Sequence, residues 1–210
     1  MKYSEYFGRR KNTFEESYNH VVSSMKEKDE YTIVELGSSR SFVTGGKPGC
    51  MNPDVRYWNP DRPEDWDWGA GVFTKVFAEN LKDKNCKIYT VDPDNNANFI
   101  VSTMCKDYKN VNIYKGYSTD FLKSFSDKID LLYMDHMETS EASAIQHLED
   151  IKLVINNKLM SENGIILIDD IGGDSTNGKG KYSIPYLLNE GYKKSRDEYQ
   201  VLMVKDSNSR

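Results

Sequence analysis

Acidic residues stand at or just beyond the carboxyl ends of four apolar, β-rich runs. They are Glu35 in "YTIVEL", Asp92 closing "KIYTVD", Asp135 closing "IDLLYMD", and Asp169-Asp170 closing "GIILIDD". If these runs lie side by side, Asp135, Asp169 and Asp170 share one crevice. Carboxylates held that close repel, so the ionised set is tolerable only with a cation among them. Oxygen-only ligation suits Mg²⁺, Mn²⁺ or Ca²⁺ better than zinc. The plainer alternative is that one or two of them cap the next turn. Asp92 can accept hydrogen bonds from both hydroxyls of a ribose; it can equally shape the turn "DPDNN". His136 is the histidine adjoining the acids and a candidate base, or else a packed, hydrogen-bonded residue. Ser118 and Thr119 either meet a nucleobase or cap the helix that follows them.

The elements that must hold these residues are written in the periodicity. Thr13 is placed to cap a first helix within residues 1–30, with Phe14, Tyr18, Val21 and Met25 on one side. A strand at Tyr31–Leu36 runs into Gly37, where a helix should begin. Instead Gly45-Gly46, Lys47-Pro48-Gly49, Asn52-Pro53 and Asn59-Pro60 intervene, and none suits a helix interior. The helix resumes at "WGAGVFTKVFAENL". With the insert Ser41–Asp67 set aside, Gly37 and Asp92 are about 28 positions apart, near the ~20-residue offset of a ribose-binding acid in dinucleotide folds. Further strands follow at "VNIYKG", "IDLLYMD" and "GIILIDD". Between the last two, Ile145, Leu148, Ile151, Ile155 and Leu159 predict one apolar helix face, and a short helix is expected at Tyr186–Asn189. The end, "GYKKSRDEYQVLMVKD", reads as two strands folded back near Asp197-Glu198. The alternation predicts one α/β domain over residues 1–210: a doubly wound, Rossmann-like sheet, mostly parallel, with a terminal antiparallel hairpin.

Composition narrows the partners. The chain has 210 residues, net charge −5 and a pI of about 5.3, which argues against nucleic acid or an anionic membrane as partner. No apolar run approaches the ~20 residues of a membrane span, and "MKYSEYFGRR" lacks the apolar core of a signal peptide. Cys50, Cys86 and Cys105 are odd in number and without CxxC spacing, which predicts a reduced, cytoplasmic protein with no zinc site.

Taken in order, "VELGSS…WGAGVFT", "TVDPD", "GYSTDFL", "LLYMDHMETSEASAIQHLEDI" and "GIILIDD" resemble a class I S-adenosylmethionine-dependent methyltransferase over roughly residues 30–205. "MDH" followed by "IDD" is similar to the metal-dependent O-methyltransferases, both the catechol type and the macrocin-type sugar enzymes. The resemblance implies that Glu35, Gly37, Ser38 and Gly71 surround the methionine part of S-adenosylmethionine. Asp92 would hold its ribose, with Ser118 and His136 near its adenine, and Asp135 beside its sulfonium end. Asp135, Asp169 and Asp170 would hold Mg²⁺ or a similar ion. Met137-Glu138 and Ile171-Gly172-Gly173 stand where those enzymes carry a lysine or a histidine base, which leaves His136, Glu138 and Asp170 as candidates. The insert "VRYWNPDRPEDWDW" reads as a lid in which Trp58, Trp66 and Arg62 bind a small acceptor, a sugar or a phenol. The alternative is an oligomer contact. A dehydrogenase on the same fold lacks its uninterrupted GxGxxG; a non-catalytic cofactor- or partner-binding domain is the other competitor.

Overall fold

The computed structural model describes residues 1–26, 30–69, 72–171 and 178–206. Seven strands form one sheet in the order β3-β2-β1-β4-β5-β7-β6. They are β1 (Tyr31–Leu36), β2 (Cys86–Asp92), β3 (Val111–Lys115), β4 (Ile129–Met134), β5 (Met160–Ile168), β6 (Tyr192–Asp197) and β7 (Val201–Lys205). The first five strands run parallel; β7 lies antiparallel to both β5 and β6. The expected doubly wound sheet with its terminal hairpin is therefore present. Its strand order reverses between β1 and β4, which splays the following loops apart and opens a crevice at their carboxyl ends.

Both faces of the sheet are covered, and the alternation along each strand assigns residues to one core or the other. Ile33, Leu131, Ile165 and Leu167 pack with Phe14 and Val21 of α1 (Lys11–Ser24), Phe73, Phe77 and Leu81 of α2 (Phe73–Leu81), and Ile100 and Met104 of α3 (Asn95–Met104). Their neighbours Val34, Leu132, Ile166 and Ile168 face Phe121 and Leu122 of α4 (Ser118–Ser124), Ile151 and Val154 of α5 (Glu141–Asn156), and Ile184 and Leu187 of α6 (Ser183–Asn189). All six residues of β1 are buried, which is why that strand reads as an almost unbroken apolar run. Among the described residues no helix is long and apolar enough to cross a membrane.

Several expectations are corrected. Thr13 lies in the first turn of α1 rather than at its cap; its hydroxyl donates to the Arg10 carbonyl at 3.0 Å and to the Gln200 side chain. Pairing with the turn between β6 and β7 outcompetes capping. The buried face of α5 is Ser143, Ala144, His147, Asp150, Ile151 and Val154, while Ile145 is 46% exposed. The helix is rotated because His147 and Asp150 serve a polar cluster beside the crevice. Strand β5 starts at Met160, before Gly164, and α6 takes in Pro185 as a first-turn residue, where proline fits. The hairpin turns over Glu198–Gln200 rather than at Asp197-Glu198.

The insert is the largest correction. It contains two short 3₁₀ turns, Val55–Tyr57 and Pro63–Asp65, and Val43 bridges to Trp66. Trp66 is 1% exposed, with the rings of Tyr3 and Trp58 each 5.0 Å away and that of Trp68 at 5.5 Å. Tyr6, from the N-terminal segment, stacks on Trp68 at 5.3 Å. Indole Nε1 of Trp66 donates to the Asn59 carbonyl, and that of Trp68 to the Pro63 carbonyl. Aromatic rings that looked available for a ligand are thus spent on each other, and Trp66 is core rather than acceptor contact. Arg62 is exposed and bonded to Glu64 and Asp65 of its own loop. Truncating so large a buried ring costs about 3–5 kcal/mol. Trp66→Ala should lower unfolding stability by about that amount in urea denaturation; unchanged stability would return Trp66 to the lid.

Candidate active site

The crevice has a volume of about 430 Å³ and is walled by Gly37 and Ser38 after β1, Asp92 at the end of β2, Asp135 and His136 after β4, and Asp170 after β5. Gly37 has φ 95°, and a Cβ there would come within 2.7 Å of the His136 backbone nitrogen. Only glycine lets β1 and β4 end this close together. Its amide donates to the Val91 carbonyl at 2.9 Å, which fixes the turn against β2. Asp92 both shapes the turn and lines the crevice: Oδ1 accepts from the Asp94 amide at 2.8 Å. Burial pushes its carboxyl above the usual range. Glu35 lies deeper, 1% exposed, where Oε2 accepts from the hydroxyls of Thr74 and, at 2.9 Å, Thr90. Burial pushes it up to about 8. It supports the turn from beneath and is absent from the crevice wall.

The expected carboxylate cluster is present: oxygen atoms of Asp135, Asp169 and Asp170 all lie within 4.8 Å of one another. Its compensating charge comes from the protein. Asp169, fully buried, receives Arg10 through Nη2 at 2.6 Å and Nε at 3.1 Å to Oδ2, with Nε 3.3 Å from Oδ1. The ammonium of Lys179 lies 2.9 Å from both Asp135 Oδ1 and Asp170 Oδ2. The Tyr133 hydroxyl meets Asp135 Oδ2 at 3.1 Å and Asp169 Oδ2 at 3.0 Å, while that of Tyr199 donates to Asp170 Oδ1. Every carboxylate oxygen of the three thus faces a protein donor. A divalent ion binding oxygen at about 2.1 Å would have to displace Lys179, so the residues as placed do not fit the expected ion.

The environments of these acids differ. Burial, with Asp169 beside it, pushes Asp135 up to about 7, against the pull of Lys179. Burial also acts on Asp170, but the Tyr199 hydroxyl and Lys179 outweigh it and hold that carboxyl below its ordinary value. Burial opposes the charge on Lys179 too; Asp135 and Asp170 override it and hold the ammonium above its ordinary value.

His136 belongs to a second cluster. Its Nε2 lies 3.0 Å from Asp150 Oδ2, and Ser118 Oγ donates to the same oxygen at 2.7 Å. Ser118 is therefore an ordering contact to α5, the first residue of α4 rather than its cap. The His147 ring stacks on His136 at 4.2 Å, with its Nε2 3.2 Å from the His136 carbonyl. Burial drives His147 well below the usual histidine range, to the neutral form. Nδ1 of His136 is buried without a partner among the described residues. Glu138 is exposed and pairs with Arg40 at 2.5 Å at the crevice mouth. Gly71 lies outside the described residues.

The sequence reading missed Arg10 and Lys179. Arg10 sits 159 positions from its partner Asp169, beyond any local pattern. A trace existed nonetheless: Arg9 and Arg10 stand at the start of α1, where the helix dipole disfavours cations. For Lys179 the trace is "GKG", a lysine held between two glycines.

Residues 68–171 match a family described as a methyltransferase domain. No curated protein matches the sequence. Among solved structures, the chain is similar to the methyltransferase PaMTH1 of Podospora anserina bound to S-adenosylhomocysteine, at 15% identity and a TM-score of 0.60, covering 92% of this chain and 78% of that one. Rv0187 from MTB, in cofactor-bound form, aligns at 11% identity and 0.56, over 92% and 81%. A candidate O-methyltransferase from Klebsiella pneumoniae aligns at 9% identity and 0.54, over 92% and 80%. Over residues 68–171 the chain is similar to that methyltransferase-domain family, and its fold as a whole is that of these solved methyltransferase structures.

The state of Glu35 has a measurable consequence. An unfolded glutamate loses its proton near 4.5, whereas folded Glu35 keeps it to about 8. Between those values the folded chain holds more protons than the unfolded chain, so stability falls as pH rises through the window. At about 1.4 kcal/mol per pKa unit, the shift from 4.5 to about 8 amounts to a loss of at most about 5 kcal/mol. Glu35→Gln should flatten the decline in denaturation midpoint between pH 5 and pH 9. A decline as steep as in the parent protein would mean that Glu35 folds in its charged form.

Proposed function

We propose that this chain binds S-adenosylmethionine in the crevice and transfers its methyl group to a hydroxyl of a small molecule, a sugar or a phenol. The observation that carries this reading is the wall formed where β1, β2 and β4 end: Gly37 and Ser38, the half-buried carboxylate of Asp92, and His136 with an unpartnered buried nitrogen. These are groups that suit a ribose and a nucleobase on one ligand. The relatives bound to S-adenosylhomocysteine or cofactor support the same choice. A nicotinamide enzyme gains no support, since Gly37 leads into the insert rather than into a glycine-rich helix start.

The Asp92 carboxylate accepts from the backbone amides of Asp94 and Ser38, which orient it, and its remaining lone pairs suit a ribose hydroxyl. Ser38 and His136 flank it, and Asp135 extends the wall toward the carboxylate cluster. The bound cofactor supplies an already activated methyl group, so the protein's share is positioning and exclusion of water. Asp170 and Asp135 line the end of the crevice where an acceptor hydroxyl would sit, and one of them can take its proton. Arg40 and Glu138 at the mouth present paired charge to a polar acceptor. A reduced, cytoplasmic setting accords with three free cysteines, two of them buried.

Calorimetry with S-adenosylhomocysteine tests the reading. Binding should be saturable, with no heat from nicotinamide dinucleotides. Asp92→Ala, folded by circular dichroism, should weaken binding by roughly 2–4 kcal/mol through lost hydrogen bonds to a charged group. Unchanged affinity in that variant would remove Asp92 from the cofactor site and with it this assignment.

A further inference from the structure

Three carboxylates ending two adjacent strands invite a divalent cation, yet the space between them is filled from within. Lys179 is 2% exposed and spans Asp135 and Asp170 with its ammonium. The loop that carries it is built for that placement. Gly178 has φ 71°, and a Cβ there would stand 2.1 Å from the Asp170 carbonyl oxygen; one on Gly180 would stand 2.4 Å from Ile184 Cδ1. No other residue type fits either side of the lysine without moving backbone or core. The Lys179 amide also donates to the Asp170 carbonyl at 3.2 Å, closing the loop on the acid that its side chain neutralises. Arg10 completes the compensation on Asp169. Two cations thus face three carboxylates.

We infer that Lys179 and Arg10 take the place of a divalent ion in this crevice, and that Lys179 is the residue that positions Asp135 and Asp170 for an acceptor. The inference rests on the crevice being the methyl-transfer site. A dication bridging Asp135 and Asp170 would also lie against the ammonium, and that repulsion would offset its attraction to the acids.

The test uses the whole chain, with Mg²⁺ and Mn²⁺ alone as probes. Melting temperature and calorimetric heat are measured with each ion and with EDTA, for the parent protein and for Lys179→Met and Lys179→Arg. The parent and Lys179→Arg, which keeps the charge, should be indifferent to metal. Lys179→Met leaves the acids undercompensated and should acquire metal binding. At a hundredfold excess over the dissociation constant its melting temperature should rise by about 5–10 °C. If Lys179→Met does not purify folded, Lys179→Gln replaces it, and the titration of the parent protein decides by itself. Saturable metal binding by the parent, lost in Asp169→Asn, would overturn the inference, as would a folded Lys179→Met or Lys179→Gln that ignores metal. S-adenosylhomocysteine binding in the same samples separates the two claims. Nucleoside binding together with metal binding by the parent overturns the lysine reading alone, whereas no nucleoside binding overturns the proposed function.

Discussion

The buried pair between Arg10 and Asp169 is the constraint to which the other parts of the site conform. Asp169 has no solvent exposure and sits where β5 meets the crevice. An uncompensated carboxylate there would cost several kcal/mol, so the N-terminal segment must lie across the sheet to deliver a guanidinium. The same side chain reaches the carbonyls of Trp68 and Gly69 at 3.5 and 3.4 Å. One residue thereby joins α1, the end of the insert and β5. Tyr199 is held over this junction, with the Arg9 guanidinium 3.8 Å from its ring centre, and its hydroxyl continues the chain of donors to Asp170.

The aromatic pad follows from the same arrangement. Bringing residues 1–10 over the sheet places Tyr3 and Tyr6 against Trp66 and Trp68, so insert and N-terminal segment bury each other's rings. The charged end of the segment is then fixed by an apolar contact several residues away. Stability and the electrostatics of the site are linked through this one stretch of chain, and the insert has a structural role before any role in acceptor choice.

Much of this was legible in sequence because it is local. Strand β1, the terminal hairpin and the acids at the strand ends all follow from periodicity and glycine placement. Gly37, Asp92 and the three clustered aspartates were found from their positions in that pattern alone. What escaped was tertiary pairing. The sequence pattern assigned the cation beside Asp135, Asp169 and Asp170 to a metal and could not show Arg10 and Lys179, which lie far away in the chain and meet the acids in the fold. The face of α5 was misjudged for a related reason: periodicity counts apolar residues, whereas His147 and Asp150 are buried by the hydrogen-bonding demands of His136 and Ser118. Trp66 shows the converse error, since an aromatic in a polar loop looks free until its stacking partners are known.

The account depends on protein cations stabilising the carboxylates, and a double-mutant cycle between Arg10 and Asp169 measures that directly. Urea unfolding free energies would be compared for the parent, Arg10→Met, Asp169→Asn and the double variant. Removing Arg10 alone strands a buried charge and should cost about 3–5 kcal/mol. Adding Asp169→Asn should recover much of that loss, giving a coupling energy of roughly 2–3 kcal/mol. Additive losses, with coupling near zero, would contradict the account, because Asp169 would then not depend on Arg10 for its place in the fold.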